Sequence, residues 1–303
     1  MPELPDLVRV ESELRRAVLG RRIVGARTGD PLVLRVMVAE PFPALLIGRR
    51  LEDIVRRGHF MRFGLQGDLD LVINAMLVGR YVLVATPANA AAADRKKDPQ
   101  SLGLALEFEG GVELRYLDDK RMGKVYVARP AQEGDIPAYR DLGVDILSDA
   151  FTLDAFRALV RGRRDQARVF LMDKRAIASI GNAYADEILF AARVHPKTFC
   201  HKLAPAEADA LFHATGEVMR RAIDEIARRG EPIHIKVRDF LSVRGRDRKP
   251  CPRCGTTIRK VRVAGWDSCF CPSCQPTSRK LFVDWSQVGG LRAPGVKAQR
   301  RRG

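Results

Sequence analysis

Two groups of residues in this 303-residue chain carry chemistry by type and spacing: Pro2, Glu3 and Asp6 at the start, and four cysteines near the end. Removal of Met1 would expose the secondary amine of Pro2. An α-amino group has a pKa of about 7.7–8, so roughly a tenth or more is unprotonated at pH 7. Such an amine can attack an electrophilic sugar carbon and form an iminium, as lysine amines do in Schiff-base catalysis. Glu3 and Asp6 add two carboxylates within one turn. A carboxylate beside an iminium stabilises the cation and relays a proton over a short distance. The same residues also read as helix punctuation, with proline early and acids favoured by the dipole.

Cys251-Pro-Arg-Cys254 and Cys271-Pro-Ser-Cys274 make the pattern C-x2-C-x16-C-x2-C. Two close thiolate pairs suit one tetrahedral Zn2+. A closed four-sulfur site leaves no open coordination position, so the metal folds the module instead of doing chemistry. Cys269 lacks a partner at knuckle spacing and reads as a packed thiol. Between the pairs, Ile258 to Val263 and Ser268 to Cys271 read as a hairpin.

The elements that must position these groups follow from periodicity. Leu7, Val10, Leu14 and Val18 recur at helical spacing within residues 3–19, and Gly20 supplies a stop. From Arg22 to about Arg129 the pattern is short strands (23–24, 32–38, 51–55, 59–65, 69–73, 81–85, 102–108, 112–116 and 124–127), which predicts an antiparallel sandwich or barrel. Residues 87–100 read as a loop. Helices are expected over 152–161, 165–177, 183–193, and as one or a pair over 205–229; 239–249 is a charged linker. Gly181-Asn182 marks a helix start, with Asn182 as N-cap and the helix beginning at Ala183. A helix N-terminus also offers N–H groups to a phosphate.

Composition bounds the partner. Lys+Arg outnumber Asp+Glu by 53 to 37, giving a net charge of +16 spread along the chain, with a pI near 10.1. A polyanion, nucleic acid before membrane, is the natural partner. No apolar run approaches the roughly 20 residues that span a bilayer, and the acidic start lacks a cationic leader. Cysteine clustering excludes a disulfide framework and points to a reducing, cytoplasmic setting.

Together these features resemble the formamidopyrimidine-DNA glycosylase/endonuclease VIII family of base-excision repair enzymes. The resemblance rests on Met-Pro-Glu-Leu-Pro, Leu142-Gly143-Val144-Asp145, Leu171-Met172-Asp173, Ile180-Gly181-Asn182-Ala-Tyr184-Ala-Asp186-Glu187 and the four cysteines, in order over residues 2–275. It implies an α+β fold: a catalytic β-sandwich with an N-terminal helix (1–130), a helix–two-turn–helix domain (131–240) and a β-hairpin zinc finger (241–275); residues 276–303 have no counterpart in it and read by composition as a basic, flexible tail. It implies a monomer that binds damaged DNA and carries one structural Zn2+. Pro2 would displace a damaged base at C1′ of a flipped nucleotide. Glu3 would act as general acid/base, Asp6 would stand in for a family glutamate, and Asn182 would hold a phosphate.

Several positions depart from the family pattern. The β-hairpin lysine aligns with His59, in Arg56-Arg57-Gly58-His59-Phe60; it could clamp a phosphate or pass a proton. Leu77 falls at the void-filling methionine, and an apolar wedge keeps that function. Lys120-Arg121-Met122 keeps cationic and apolar character but loses an aromatic. Trp266 stands five residues before Cys271, where the family has a phosphate-binding arginine; Arg262 is a substitute on the neighbouring strand. Tryptophan stacks on unpaired bases. The expectation is a glycosylase/lyase with shifted substrate preference. The alternative is a non-catalytic or weakly catalytic damage-binding protein on the same scaffold.

Overall fold

The computed structural model describes residues 2–85 and 99–277. Most of the loop read over 87–100 and of the tail read from 276 lies outside them.

Helix α1, Leu4–Val18, leads into nine strands: β1 Ile23–Arg27, β2 Leu34–Val36, β3 Leu51–Arg57, β4 Phe60–Leu65, β5 Leu69–Asn74, β6 Arg80–Ala85, β7 Leu102–Phe108, β8 Val112–Leu117 and β9 Lys124–Ala128. They form a four-stranded sheet in the order β1-β7-β8-β6 and a five-stranded sheet in the order β2-β9-β5-β4-β3. Alternating residues of both sheets, among them Phe63, Ile73, Leu106 and Val125, meet in one core. One pair departs from the antiparallel expectation: β2 runs parallel to β9. These strands are far apart in sequence, so no tight hairpin fixes their sense. The run read as a strand over 32–38 also starts as a 3-10 turn, Pro31–Val33, because the Asp30 carboxylate accepts Leu32 N–H at 2.9 Å.

Helices α2 Leu153–Val160, α3 Ala167–Met172, α4 Asn182–Ala191 and α5 Pro205–Arg229 build a second core. The segment 205–229 is a single helix, ended by Gly230 at φ 65°. Helix α3 stops at Met172, short of the expected 177. Residues 173–178 instead pair with the 143–144 segment: Gly143 N–H donates to Lys174 O at 2.8 Å, and Val144 bridges Ile177. A Cβ on Gly143 would lie 2.3 Å from Ala176 carbonyl atoms, so this close approach requires glycine.

Helix α1 joins the cores. Leu7, Val10, Leu14 and Val18 pack into the sandwich, while Leu4 packs among the helices beside Ile180 and Tyr184. Fully burying one leucine contributes about 1.5–3 kcal/mol. Opposite ends of one short helix therefore fix the N-terminus at the seam between the halves. Strands β10 Arg259–Val263 and β11 Trp266–Phe270 form the C-terminal hairpin. Its two-residue turn has positive φ at Ala264 and Gly265, as a tight, twist-matched hairpin demands.

Candidate active site and DNA-facing surface

Glu3 is 6 % exposed, and its carboxylate accepts three backbone N–H groups: Gly181 at 2.8 Å, Ala183 at 3.1 Å and Tyr184 at 3.2 Å. It thus occupies the positive end of α4. Asn182 is accordingly not the N-cap. Gly181 holds that position and Asn182 is the first helical residue, since the Glu3 carboxylate already satisfies the N–H groups an asparagine cap would take. A Cβ at Gly181 would meet Glu3 Cδ at 2.5 Å, which makes glycine necessary there.

Asp6 reinforces the arrangement by accepting Glu3 N–H at 2.8 Å and pairing with Arg238. The Arg238 guanidinium also lies over the Tyr184 ring, 5.1 Å from its centroid. Leu4 N–H donates to Ser179 O at 3.0 Å. Pro2 is buried in a cleft lined by Asp6, Arg9, Gly79–Tyr81 and residues 231–237.

The Asn182 amide oxygen accepts Arg168 N–H at 2.7 Å, which leaves its NH2 group to donate elsewhere. Arg168, 1 % exposed, also pairs with Asp186 at 3.1 Å and donates to Asp267 O at 3.3 Å. One guanidinium therefore links the start of α4 to the finger residue that follows Trp266. Trp266 itself is 56 % exposed at the hairpin tip. Arg262, also exposed, lies across the hairpin opposite Asp267.

Asp186 further accepts Ser268 Oγ, Cys269 N–H and Arg244, while Glu187 accepts the N–H groups of Ser242, Val243 and Arg244. These consecutive acids dock the finger onto α4. Neither Arg168 nor Arg238 was singled out in the sequence. Their partners lie 18 and 232 positions away, and no local pattern marks them.

His59 occupies the turn between β3 and β4. Burial, aided by Lys174, lowers its pKa to about 4, so it is neutral near pH 7, and its Nδ1 has no partner among the described residues. It therefore supplies no positive charge at the lysine position. Leu77 and Met122 are exposed on two loops of the sandwich. Both loops close over the Tyr116 hydroxyl: a Cβ on Gly79 or Gly123 would lie 2.6 Å or 1.8 Å from it. Asp118, 2 % exposed, accepts Lys120 N–H and Gly123 N–H and turns Lys120, Arg121 and Met122 outward. Among the described residues no direct hydrogen bond ties these loops to Glu3 or Asn182.

The four sulfurs of Cys251, Cys254, Cys271 and Cys274 lie within 4.8 Å of one another. A tetrahedral Zn2+ with Zn–S of about 2.3 Å has sulfurs about 3.8 Å apart; Cys251–Cys274 at 4.0 Å, and Cys254–Cys271 and Cys254–Cys274 at 3.5 Å, fit it. The chain carries one structural zinc site. Cys269 lies outside this group, packed beside Phe190, Val243 and Ile258. No helix among the described residues is long and apolar enough to cross a membrane.

A β-sandwich, a helical half and a four-cysteine hairpin are thus gathered around one N-terminal segment. Profiles of three families match: the formamidopyrimidine-DNA glycosylase N-terminal domain over residues 1–125, its H2TH domain over 142–230, and the zinc finger found in FPG and IleRS over 248–277. The chain belongs to the formamidopyrimidine-DNA glycosylase family. The enzyme of that name from Moorella thermoacetica is 35 % identical over 271 residues, covering 86 % of this chain and 95 % of the relative. The crystal structure of the MutM (Fpg) protein from Thermus thermophilus superposes with a TM-score of 0.76 at 31 % identity, over 90 % of this chain and 98 % of that one. Lactococcus lactis Fpg in complex with abasic-site DNA superposes with a TM-score of 0.78 at 26 % identity, over 91 % and 100 %.

Proposed function

We propose that the protein is a bifunctional DNA glycosylase and abasic-site lyase whose nucleophile is the Pro2 amine, working on DNA in the cytoplasm. The observation that carries this reading is the lock between Glu3 and the start of α4, which sets Pro2, Glu3 and Asn182 at one point of the seam. After removal of Met1, the Pro2 lone pair attacks C1′ of a flipped nucleotide and the damaged base leaves with the C1′–N bonding electrons. The Pro2 nitrogen then loses its proton and its lone pair expels the ring oxygen O4′, which Glu3 protonates; the open-chain iminium so formed makes the neighbouring C–H acidic, and successive eliminations nick the strand. Glu3 moves protons on the sugar beside Pro2, Asp6 holds the Glu3 backbone, and Asn182 donates its free NH2 to a phosphate. Leu77 and Met122 supply apolar contacts, and Lys120 and Arg121 supply cations.

Substrate preference is shifted. A neutral His59 and the exposed Trp266 replace two cations of the family pattern with groups that stack or stay uncharged. That exchange favours unpaired or distorted DNA over ordinary duplex. Borohydride trapping on abasic-site DNA, duplex against single-stranded, tests both statements, with mass spectrometry establishing that Met1 is absent. A covalent adduct lost in Pro2→Gly is expected. Correctly processed protein that binds lesion DNA but yields no adduct would instead establish the non-catalytic reading.

A further inference from the structure

Where the family pattern calls for a hairpin lysine, burial keeps His59 neutral near pH 7. The positive charge at this point of the fold comes from Lys174, on the loop between α3 and α4. Its backbone is held by Gly143 N–H, which donates to Lys174 O at 2.8 Å. The hairpin turn rests on the same ladder: a Cβ on Gly58 would lie 2.9 Å from Leu142 and 3.4 Å from Ala178. Packing therefore places Lys174 close enough to His59 to shift its protonation.

We propose that Lys174 is the phosphate-binding cation of the lesion pocket, gripping the phosphate beside the flipped nucleotide from the α3–α4 loop in place of residue 59. The proposal rests on the reading of Pro2 as nucleophile. The Lys174 ammonium donates to Ile180 O, the residue before Gly181-Asn182, and its other hydrogens have no partner among the described residues. Three titratable groups face it: Glu3 from the N-terminal segment, Asp173 from its own loop, and His59 from the hairpin. Both carboxylates attract it, but neither hydrogen-bonds it among the described residues. Glu3 is held by three N–H groups, and Asp173 by Arg163 and Arg175 N–H. Burial outweighs the attraction of both acids and brings the amine down to about 8. The ammonium makes no direct ion pair among the described residues, and a phosphate oxygen would supply one.

The sign of the pH effect follows. A bound phosphate favours the protonated amine, so above about pH 8 binding must take up a proton and weakens. The test is the affinity of the full chain for a duplex bearing an uncleavable tetrahydrofuran abasic analogue, measured against salt and against pH. Lys174→Met is expected to weaken binding about tenfold or more at pH 7, or ~1.4 kcal/mol per decade. It should also lower the salt slope by about one. Lys174→Arg, whose charge does not titrate in this range, is expected to keep the affinity and reduce the alkaline fall to the part contributed by the Pro2 amine. A Lys174→Met protein with the wild-type salt slope, or a Lys174→Arg protein that keeps the full alkaline fall, would overturn the proposal. If Lys174→Met does not fold, the Lys174→Arg profile decides alone. Failure of the Pro2 reading shows separately, as a missing borohydride adduct in the wild type.

Discussion

Gly181→Ala isolates the lock between the N-terminus and α4. The backbone at Gly181 has φ −119° and ψ −164°, which alanine adopts freely, so the substitution introduces no backbone strain. Its Cβ would lie 2.5 Å from Glu3 Cδ and 2.8 Å from Cγ and Oε1. Non-bonded carbons sit about 3.5–4.0 Å apart, so the carboxylate must withdraw by roughly 1 Å. That leaves the N–H groups of Gly181, Ala183 and Tyr184 without their acceptor. Hydrogen bonds to a charged group contribute about 1.5–3 kcal/mol each. The three share one carboxylate, so the expected loss is about 2–4 kcal/mol, less than their sum.

Pro2 moves with Glu3, and a misplacement of about 1 Å near the chemistry costs about 10²-fold in rate. Urea unfolding measures the first effect, and single-turnover nicking of an abasic duplex measures the second. Glu3→Gln presents an NH2 group to the same donors, and the double variant should be no worse than the poorer single one. A Gly181→Ala enzyme with wild-type rate and stability, or losses that add in the double variant, would refute the reasoning.

Arg168→Met should destabilise the protein by about 1.5–3 kcal/mol, because Asp186 loses one guanidinium partner while it keeps Arg244, Ser268 and Cys269; thermal unfolding reads it, and affinity for abasic DNA should fall as Asn182 loses its orienting bond. Cys254→Ser, or a strong chelator, should release one equivalent of zinc and unfold the hairpin 259–270, seen as proteolysis of the finger while the sandwich persists. His59 gives a pH effect whose sign is fixed: its folded value of about 4 lies below the ordinary 6.5, so the unfolded chain binds more protons between these values and stability falls as pH drops. Near pH 4.5 the loss amounts to about 2–3 kcal/mol, and His59→Gln should flatten the profile of urea midpoint against pH over that window.

Much of the architecture was legible because it is written in local periods. The strand runs between Arg22 and Arg129 are short, β-rich and bounded by Gly, Pro and Asp, and each matches an observed strand to within a few residues. The stripe Leu7, Val10, Leu14 and Val18 forms the buried face of α1. Where the reading missed, a distant segment had claimed backbone groups that propensity assigns locally. Residues 173–177 continue the apolar pattern of a helix, yet Gly143 and Val144 take their carbonyls. Asn182 has the chemistry of a cap, yet a carboxylate from the N-terminus reached those N–H groups first.

The sequence by itself determined the zinc site, whose four ligands lie in two short knuckles, and the family, carried by ordered motifs. It also determined the succession of short strands that builds the sandwich. Only the tertiary structure decided which polar groups meet: Glu3 with the start of α4, Arg168 between Asn182 and the finger, Lys174 beside a neutral His59. The physical reason is that burial favours an element through its own period, whereas a buried polar group is satisfied by whichever partner packing brings within hydrogen-bond distance. Here those partners come from segments up to 232 residues apart in the chain.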